Sequence, residues 1–194
     1  MGKYNNEAKD LVKKAQAGDL RAFEKLVVTY QDKVFSQCYR LTGNYDDAQD
    51  LAQEVFVRAY RGIGSFRSDA DLGTWLYRIA VNQYLNSRRR EKDNIISLDE
   101  PVDTGDGEVA RQVAAAEEDP LEAVERGELR ELVLEALDRL PYEFRVTLTL
   151  REFEGYSYEE IAELLECSVG TVRSRLNRAR KALPEFLGPQ MNTD

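Results

Sequence analysis

Between Asp93 and Asp119 the chain carries nine carboxylates, Asp93, Asp99, Glu100, Asp103, Asp106, Glu108, Glu117, Glu118 and Asp119, against a single base, Arg111. The same stretch holds Pro101, Gly105 and Gly107 and few large apolar side chains. Such a composition buries too little apolar surface to offset the entropy lost on ordering, so it reads as a mostly unstructured linker. The 194 residues must then build two small cores, near 1–92 and 120–188, followed by a short tail over 189–194. The linker also holds −8 of the formal net charge of −9, which leaves the two blocks almost neutral. An acidic total therefore does not exclude a polyanionic partner. What matters is where each block places its bases.

Both blocks follow helical spacing, and neither shows a strand pattern or a hairpin dipeptide, so the fold class is all-α. In the first block Gly18 and Asp19 precede Ala22, Phe23, Leu26, Val27, Tyr30, Val34, Cys38 and Leu41, and Gly43 stops that helix. Asn44 caps the next, to about Tyr60, with Asp46 and Asp47 in the first turn where the dipole favours them. Residues 62–69 make a loop rich in Gly and Ser, and a further helix runs from about Leu72 to Arg90. In the second block Pro120 starts a helix of some twenty residues ending near Leu140, and Pro141 opens another that Gly155 ends. Ser157-Tyr158-Glu159-Glu160 matches a capping box before a short helix. After a break at Glu166-Cys167-Ser168 the last helix begins at Val169.

Several chemistries are absent. The chain has no histidine, which removes Ser-His-Asp and Cys-His catalysis and His-ligated zinc. Cys38 and Cys167 form no CxxC pair and fit a reducing compartment. No Gly-rich phosphate loop follows a strand, and no nucleophile–base pair stands out. The expectation is a protein that is not an enzyme, with no metal, cofactor or small-molecule substrate. The first ten residues lack the apolar run of a leader peptide, and no segment is apolar enough to span a bilayer, so a cytoplasmic location is expected.

The last helix is the most informative. Two helices joined by a three- or four-residue turn meet the requirement of a helix-turn-helix. At about 100° per residue, Val169, Val172, Leu176, Ala179 and Leu183 form one apolar stripe. Ser174 and Arg178 lie opposite it, with Thr171, Asn177 and Lys181 close by and Arg173, Arg175 and Arg180 on the flanks. From Cys167 to Leu183 there are five bases and no acid. Such a face suits a DNA major groove: Arg can bridge guanine O6 and N7, Asn can bridge adenine N6 and N7, and flanking bases can hold phosphates.

The first block ends in a second basic run, Arg88-Arg89-Arg90 with Lys92. Upstream lie Arg78 and Asn82 among Trp75, Tyr77 and Tyr84, a mixture that fits single-strand binding with bases stacked on rings, and equally a core with a solvated helix end. On the helix from Tyr45, the acids Asp46, Asp47, Asp50 and Glu54 lie on one side and Leu51, Val55 and Phe56 on another. That face fits a basic protein partner or plain solvation.

Three stretches taken in order resemble a bacterial extracytoplasmic-function sigma factor of the sigma-E type. They are DDAQDLAQEVFVRAYR (46–61), SFRSDADLGTWLYRIAVN (65–82) and LPYEFRVTLTLREFEGYSYEEIAELLECSVGTVRSRLNRARKAL (140–183). The resemblance implies a sigma2-like bundle over 1–92 and a sigma4-like helix-turn-helix over 120–188. It implies binding to core RNA polymerase and to promoter DNA, in an envelope or other stress response. It implies restraint by an anti-sigma protein, often membrane-anchored. At matching positions it assigns polymerase contacts to Asp47, Asp50, Leu51, Gln53, Glu54 and Phe56. It assigns −10 recognition, with a flipped non-template base, to Phe66, Arg67, Trp75, Arg78 and Asn82. It assigns a GGAAC-like −35 element to Thr171, Arg173, Ser174, Arg175, Asn177, Arg178 and Lys181, the face already selected by the stripe. Ser68, Leu72 and Gly73 depart from residues common in relatives, which implies an altered −10 preference; Asn177 departs likewise and implies a shift at one −35 base, while Ser168 stands where Pro is common, which matters little for a helix cap. In such proteins the linker threads toward the RNA exit path, so it is either an RNA mimic or an inert tether. A stand-alone helix-turn-helix regulator would account for the second block alone and leave 1–92 unexplained.

Overall fold

In a computed structural model the residues described are 2–67, 71–95 and 120–187. The linker from residue 96 to 119, Ser68 in the loop over 62–69 and the tail over 189–194 lie outside them. The described residues form eight α-helices and one 3-10 turn, with no strand among them. The chain divides into two compact units, 1–98 and 99–194.

The first unit contains α1 (Gly2–Gln16), α2 (Leu20–Thr42), α3 (Tyr45–Gly62), a 3-10 turn (Ile63–Ser65) and α4 (Leu72–Ile95). α1 goes beyond the sequence reading, which took from these residues only the lack of a leader. Its signal was present: Ala8, Leu11, Val12 and Ala15 recur at helical spacing, and Val12 and Ala15 are buried. Asp19 caps α2 by accepting from the Ala22 amide at 3.2 Å. Gly43 ends it in the left-handed conformation, φ 72°, which a residue with a Cβ adopts only at a cost. Asn44 then accepts from the amides of Asp46 and Asp47, so two adjacent caps fix the α2–α3 corner.

Helices α1, α3 and α4 all pack on α2. Along α3 the buried residues are Ala48, Ala52, Val55 and Ala59, one stripe made mostly of small side chains that lets the helix lie close to its neighbours. Against them stand Leu26, Val34, Cys38 and Leu41 of α2 and Leu76, Tyr77, Ala80, Val81 and Tyr84 of α4. Tyr77 and Tyr84 are therefore core side chains, 0% and 2% exposed, and are closed to a stacked base. α4 also continues past Arg90 to Ile95, into the start of the acidic stretch.

The second unit contains α5 (Pro120–Asp138), α6 (Tyr142–Glu152), α7 (Tyr158–Leu164) and α8 (Val169–Leu187). α6 is buried from Arg145 through Leu150 without an exposed residue between them and packs on α7 and α8. The cost of enclosing Arg145 is offset in part by its own fork: Nη1 donates to Asp138 Oδ1 at 2.7 Å and Nη2 to the Asp138 carbonyl at 3.1 Å, while Nε is buried without a hydrogen-bond partner among the described residues. The fork places a cation on the last carbonyls of α5, where the helix dipole is negative. α6 stops at Glu152, three residues before Gly155, which carries the reversal at φ 73°.

Candidate nucleic-acid interface

α7 and α8 form the helix-turn-helix. The capping box at α7 is complete: the Ser157 hydroxyl accepts from the Glu160 amide at 3.2 Å, and the Ser157 amide donates to Glu160 Oε2 at 2.7 Å. The turn passes through Glu166 in the left-handed region, φ 50°, unusual for a side chain of that size. Ser168 then starts α8, its Oγ accepting from the Thr171 amide at 3.0 Å and lying 2.9 Å from the Thr171 hydroxyl. With both ends of the turn fixed, α8 sits on α6 and α7 through Val172, Leu176 and Ala179, all at most 1% exposed.

Burying that stripe dictates what faces outward. Arg173, Ser174, Asn177, Arg178 and Lys181 are exposed, while Thr171 and Arg175 are half-buried. Arg175 leans back toward Cys167 Sγ at 4.0 Å. Arg173, Asn177, Arg180 and Lys181 line an open cleft together with Tyr158 of α7. The flanking Arg180 is committed to a partner. Its Nη2 and Nε donate to Glu152 Oε1 at 2.6 and 3.3 Å, and this bond, with a second to Tyr158, holds the guanidinium more firmly protonated than usual. Tyr158 also carries Arg151 over its ring, 5.2 Å from the centroid. The outward face is thus cationic and donor-rich, and its edge is braced by a carboxylate that the sequence pattern did not connect to it, Glu152, 28 residues away.

In the first unit, Arg78 and Asn82 are exposed one turn apart on α4, and Trp75 lies half-buried on the same face. Asp71 accepts from the Thr74 amide at 2.9 Å, capping the helix that carries them. Phe66 is placed differently from the others. It is 7% exposed, with its ring 5.0 Å from the Trp75 ring, so it supports the face from below. Arg67, next in the chain, is exposed. Gln16, which sequence reasoning passed over, donates to the carbonyls of Ile63 and Phe66 on either side of the turn.

On α3, Asp47, Asp50, Gln53 and Glu54 are exposed in one row, with Leu51 half-buried beside them. Glu54 holds Arg58 one turn on, at 2.9 Å. Phe56 points the other way and lines a small apolar space with Phe23, Leu26, Ala59, Trp75 and Leu76. Val57, absent from the sequence-based set, is 49% exposed about one turn beyond the last acid of the row, Glu54. Among the described residues no helix is long and apolar enough to cross a membrane, and no acidic or cysteine cluster is arranged to hold a metal.

Two family models match the chain: sigma-70 region 2 over residues 26–93 and sigma-70 region 4 over residues 130–183. The RNA polymerase sigma-H factor of Pseudomonas aeruginosa is 44% identical over 183 residues, covering 92% of this chain and 93% of that protein. The ECF RNA polymerase sigma-E factor of Escherichia coli K12 is 42% identical with the same coverage. Among solved structures, the sigma factor RpoE of Bartonella quintana in complex with the anti-sigma factor NepR is similar in fold. Its TM-score is 0.62 at 24% identity, over 88% of this chain and 99% of that one.

Proposed function

As a member of the extracytoplasmic-function group of the sigma-70 family, this chain is a sigma factor that binds core RNA polymerase and directs promoter-specific initiation, and we propose the following division of labour among its helices. Residues 1–92 are a sigma2-like domain, 93–119 a linker and 120–188 a sigma4-like domain. The acidic row on α3, Asp47, Asp50, Gln53 and Glu54 with Leu51 at its edge, docks on the polymerase, and Phe56 shapes that helix from inside. Arg67, Trp75, Arg78 and Asn82 read the opened −10 strand over the support of Phe66. Thr171, Arg173, Ser174, Arg175, Asn177, Arg178 and Lys181 read the −35 element in duplex DNA. The polymerase supplies the chemistry, and no catalytic step is assigned to the chain itself. It works in the cytoplasm, where polymerase and promoters are, and is held back by an anti-sigma protein until an envelope or other stress releases it.

The observation that carries this reading is the pairing of two unlike nucleic-acid faces in one chain. One is a helix-turn-helix whose exposed helix shows four arginines, a lysine and no acid from Val169 to Leu183, and the other is an Arg/Asn/Trp face on α4 beside an acidic docking helix. The test is a selection from randomised duplex DNA by the purified chain with and without core polymerase. Retained duplexes should share two spaced elements, and only when core enzyme is present. Strong enrichment of one palindromic site by the chain alone would favour a stand-alone regulator.

A further inference from the structure

Gln16 closes α1, and its side-chain nitrogen lies 3.0 Å from the Ile63 carbonyl oxygen and 2.8 Å from that of Phe66. Both neighbours can only accept, so the amide must present its NH2 group, and the two hydrogens serve one oxygen each. Few side chains can make this bridge. Asn falls one methylene short, Glu presents acceptors to acceptors, and Met fills the volume but donates nothing.

The bridged segment lies between α3 and Arg67. The Ile63 carbonyl also accepts from the Phe66 amide at 3.1 Å, which closes the 3-10 turn, and the Ser65 hydroxyl donates to the Gly62 carbonyl at 2.8 Å. Phe66 has left the helical region, φ −67° and ψ 125°, so its carbonyl belongs to no helix ladder. Its ring meets Trp75, and the Trp75 ring in turn lies against Gly62, where a Cβ would come to 3.6 Å. The turn is therefore held from two sides: by the Trp75 ring on the α4 side and by one amide of α1 through the backbone.

We propose that Gln16 is a positioning residue for −10 recognition. By tying both ends of the Ile63–Phe66 turn to α1, it fixes where Arg67 leaves the bundle and how that segment meets the opened strand. It makes no DNA contact itself. The inference rests on the −10 assignment above, and its test separates the two.

Full-length Gln16→Met, Gln16→Asn and Gln16→Glu are assembled with core polymerase on a promoter mapped with the unaltered holoenzyme, with 2-aminopurine in the non-template −10 strand. Arg78→Ala is run in parallel. Core affinity and −35 duplex binding stay at the unaltered level in all three Gln16 variants. Strand opening falls about tenfold in Gln16→Met and Gln16→Asn, since the Phe66 carbonyl loses its donor and the Ile63 carbonyl keeps only the Phe66 amide, and further in Gln16→Glu, where charge faces oxygen. Undiminished opening by Gln16→Met, while Arg78→Ala is impaired, overturns the role of Gln16 alone. Undiminished opening by Arg78→Ala overturns the −10 assignment and this role with it. An equal loss of core binding, −35 binding and melting temperature in every Gln16 variant also overturns it, because the residue would then serve only the stability of the bundle.

Discussion

At the scale of single residues, exposure separates side chains that can meet a partner from those that hold them in place. Arg178 is exposed on the face opposite the α8 stripe and is the strongest candidate for a bidentate guanine contact. Arg178→Ala should cost about 1–3 kcal/mol at a matched −35 site and relax the preference at one base position, measured by competition among single-base variants of that site. Uniform weakening across all of them would make it a phosphate contact. Arg180 belongs to a different class, since Glu152 holds it at 2.6 Å. Cys38 shows the opposite extreme. It is 0% exposed between α2 and its neighbours, and burial, only partly countered by the Arg40 charge, pushes its thiol from 9.0 up to about 12. A thiol that ionises near 9.0 when unfolded and near 12 when folded binds its proton more tightly in the folded chain. The stability it contributes is complete below pH 9 and is lost as pH rises towards 12. Iodoacetamide at pH 8 should therefore alkylate the half-buried Cys167 and spare Cys38 in the native protein, as peptide mass mapping would reveal. Equal labelling would mean that the α2 core opens readily.

At the scale of elements, most helices were legible because each carries both a stripe and a stop. Asp19, Gly43, Asn44 and the Ser157–Glu160 box all cap or end helices where their chemistry places them. α1 was missed because its apolar signal is short, confined to Ala8, Leu11, Val12 and Ala15. The aromatic mixture on α4 was ambiguous because spacing assigns a face without saying which face is covered. Only packing shows Tyr77 and Tyr84 buried and Trp75 at the border. The bridges from Gln16 to the 3-10 turn and from Glu152 to Arg180 join residues 47 and 28 positions apart, so no local pattern marks them. α3 shows how an element acts as a unit, with a small-residue stripe inside and an acidic row outside. Asp50→Lys combined with Glu54→Lys should reduce affinity for core polymerase at least about tenfold at low salt, with a melting temperature close to that of the unaltered chain, because exposed charges contribute little to the fold. Unchanged core affinity would move the docking surface off α3. Val57, about one turn beyond Glu54, is exposed to 49% and leaves an apolar side chain at the C-terminal end of that row.

At the scale of the molecule, the distribution of charge explains how an acidic protein can work on DNA. Of the net −9, −8 falls in the sequence between Asp93 and Asp119, so the residues of the outward face of α8 and of the Arg/Asn face of α4 belong to stretches that are almost neutral as a whole. On the proposed division of labour each compact unit carries one nucleic-acid face, so that neither alone would read a promoter with two separated elements. The central claim is that the two faces act together through the polymerase. The most direct measurement is to add the purified chain to core RNA polymerase on fragmented genomic DNA and sequence the 5′ ends of the transcripts. The account predicts discrete start sites that share a −35 and a −10 element at fixed spacing and vanish when the chain is left out. Starts indistinguishable from those of core enzyme alone would contradict it.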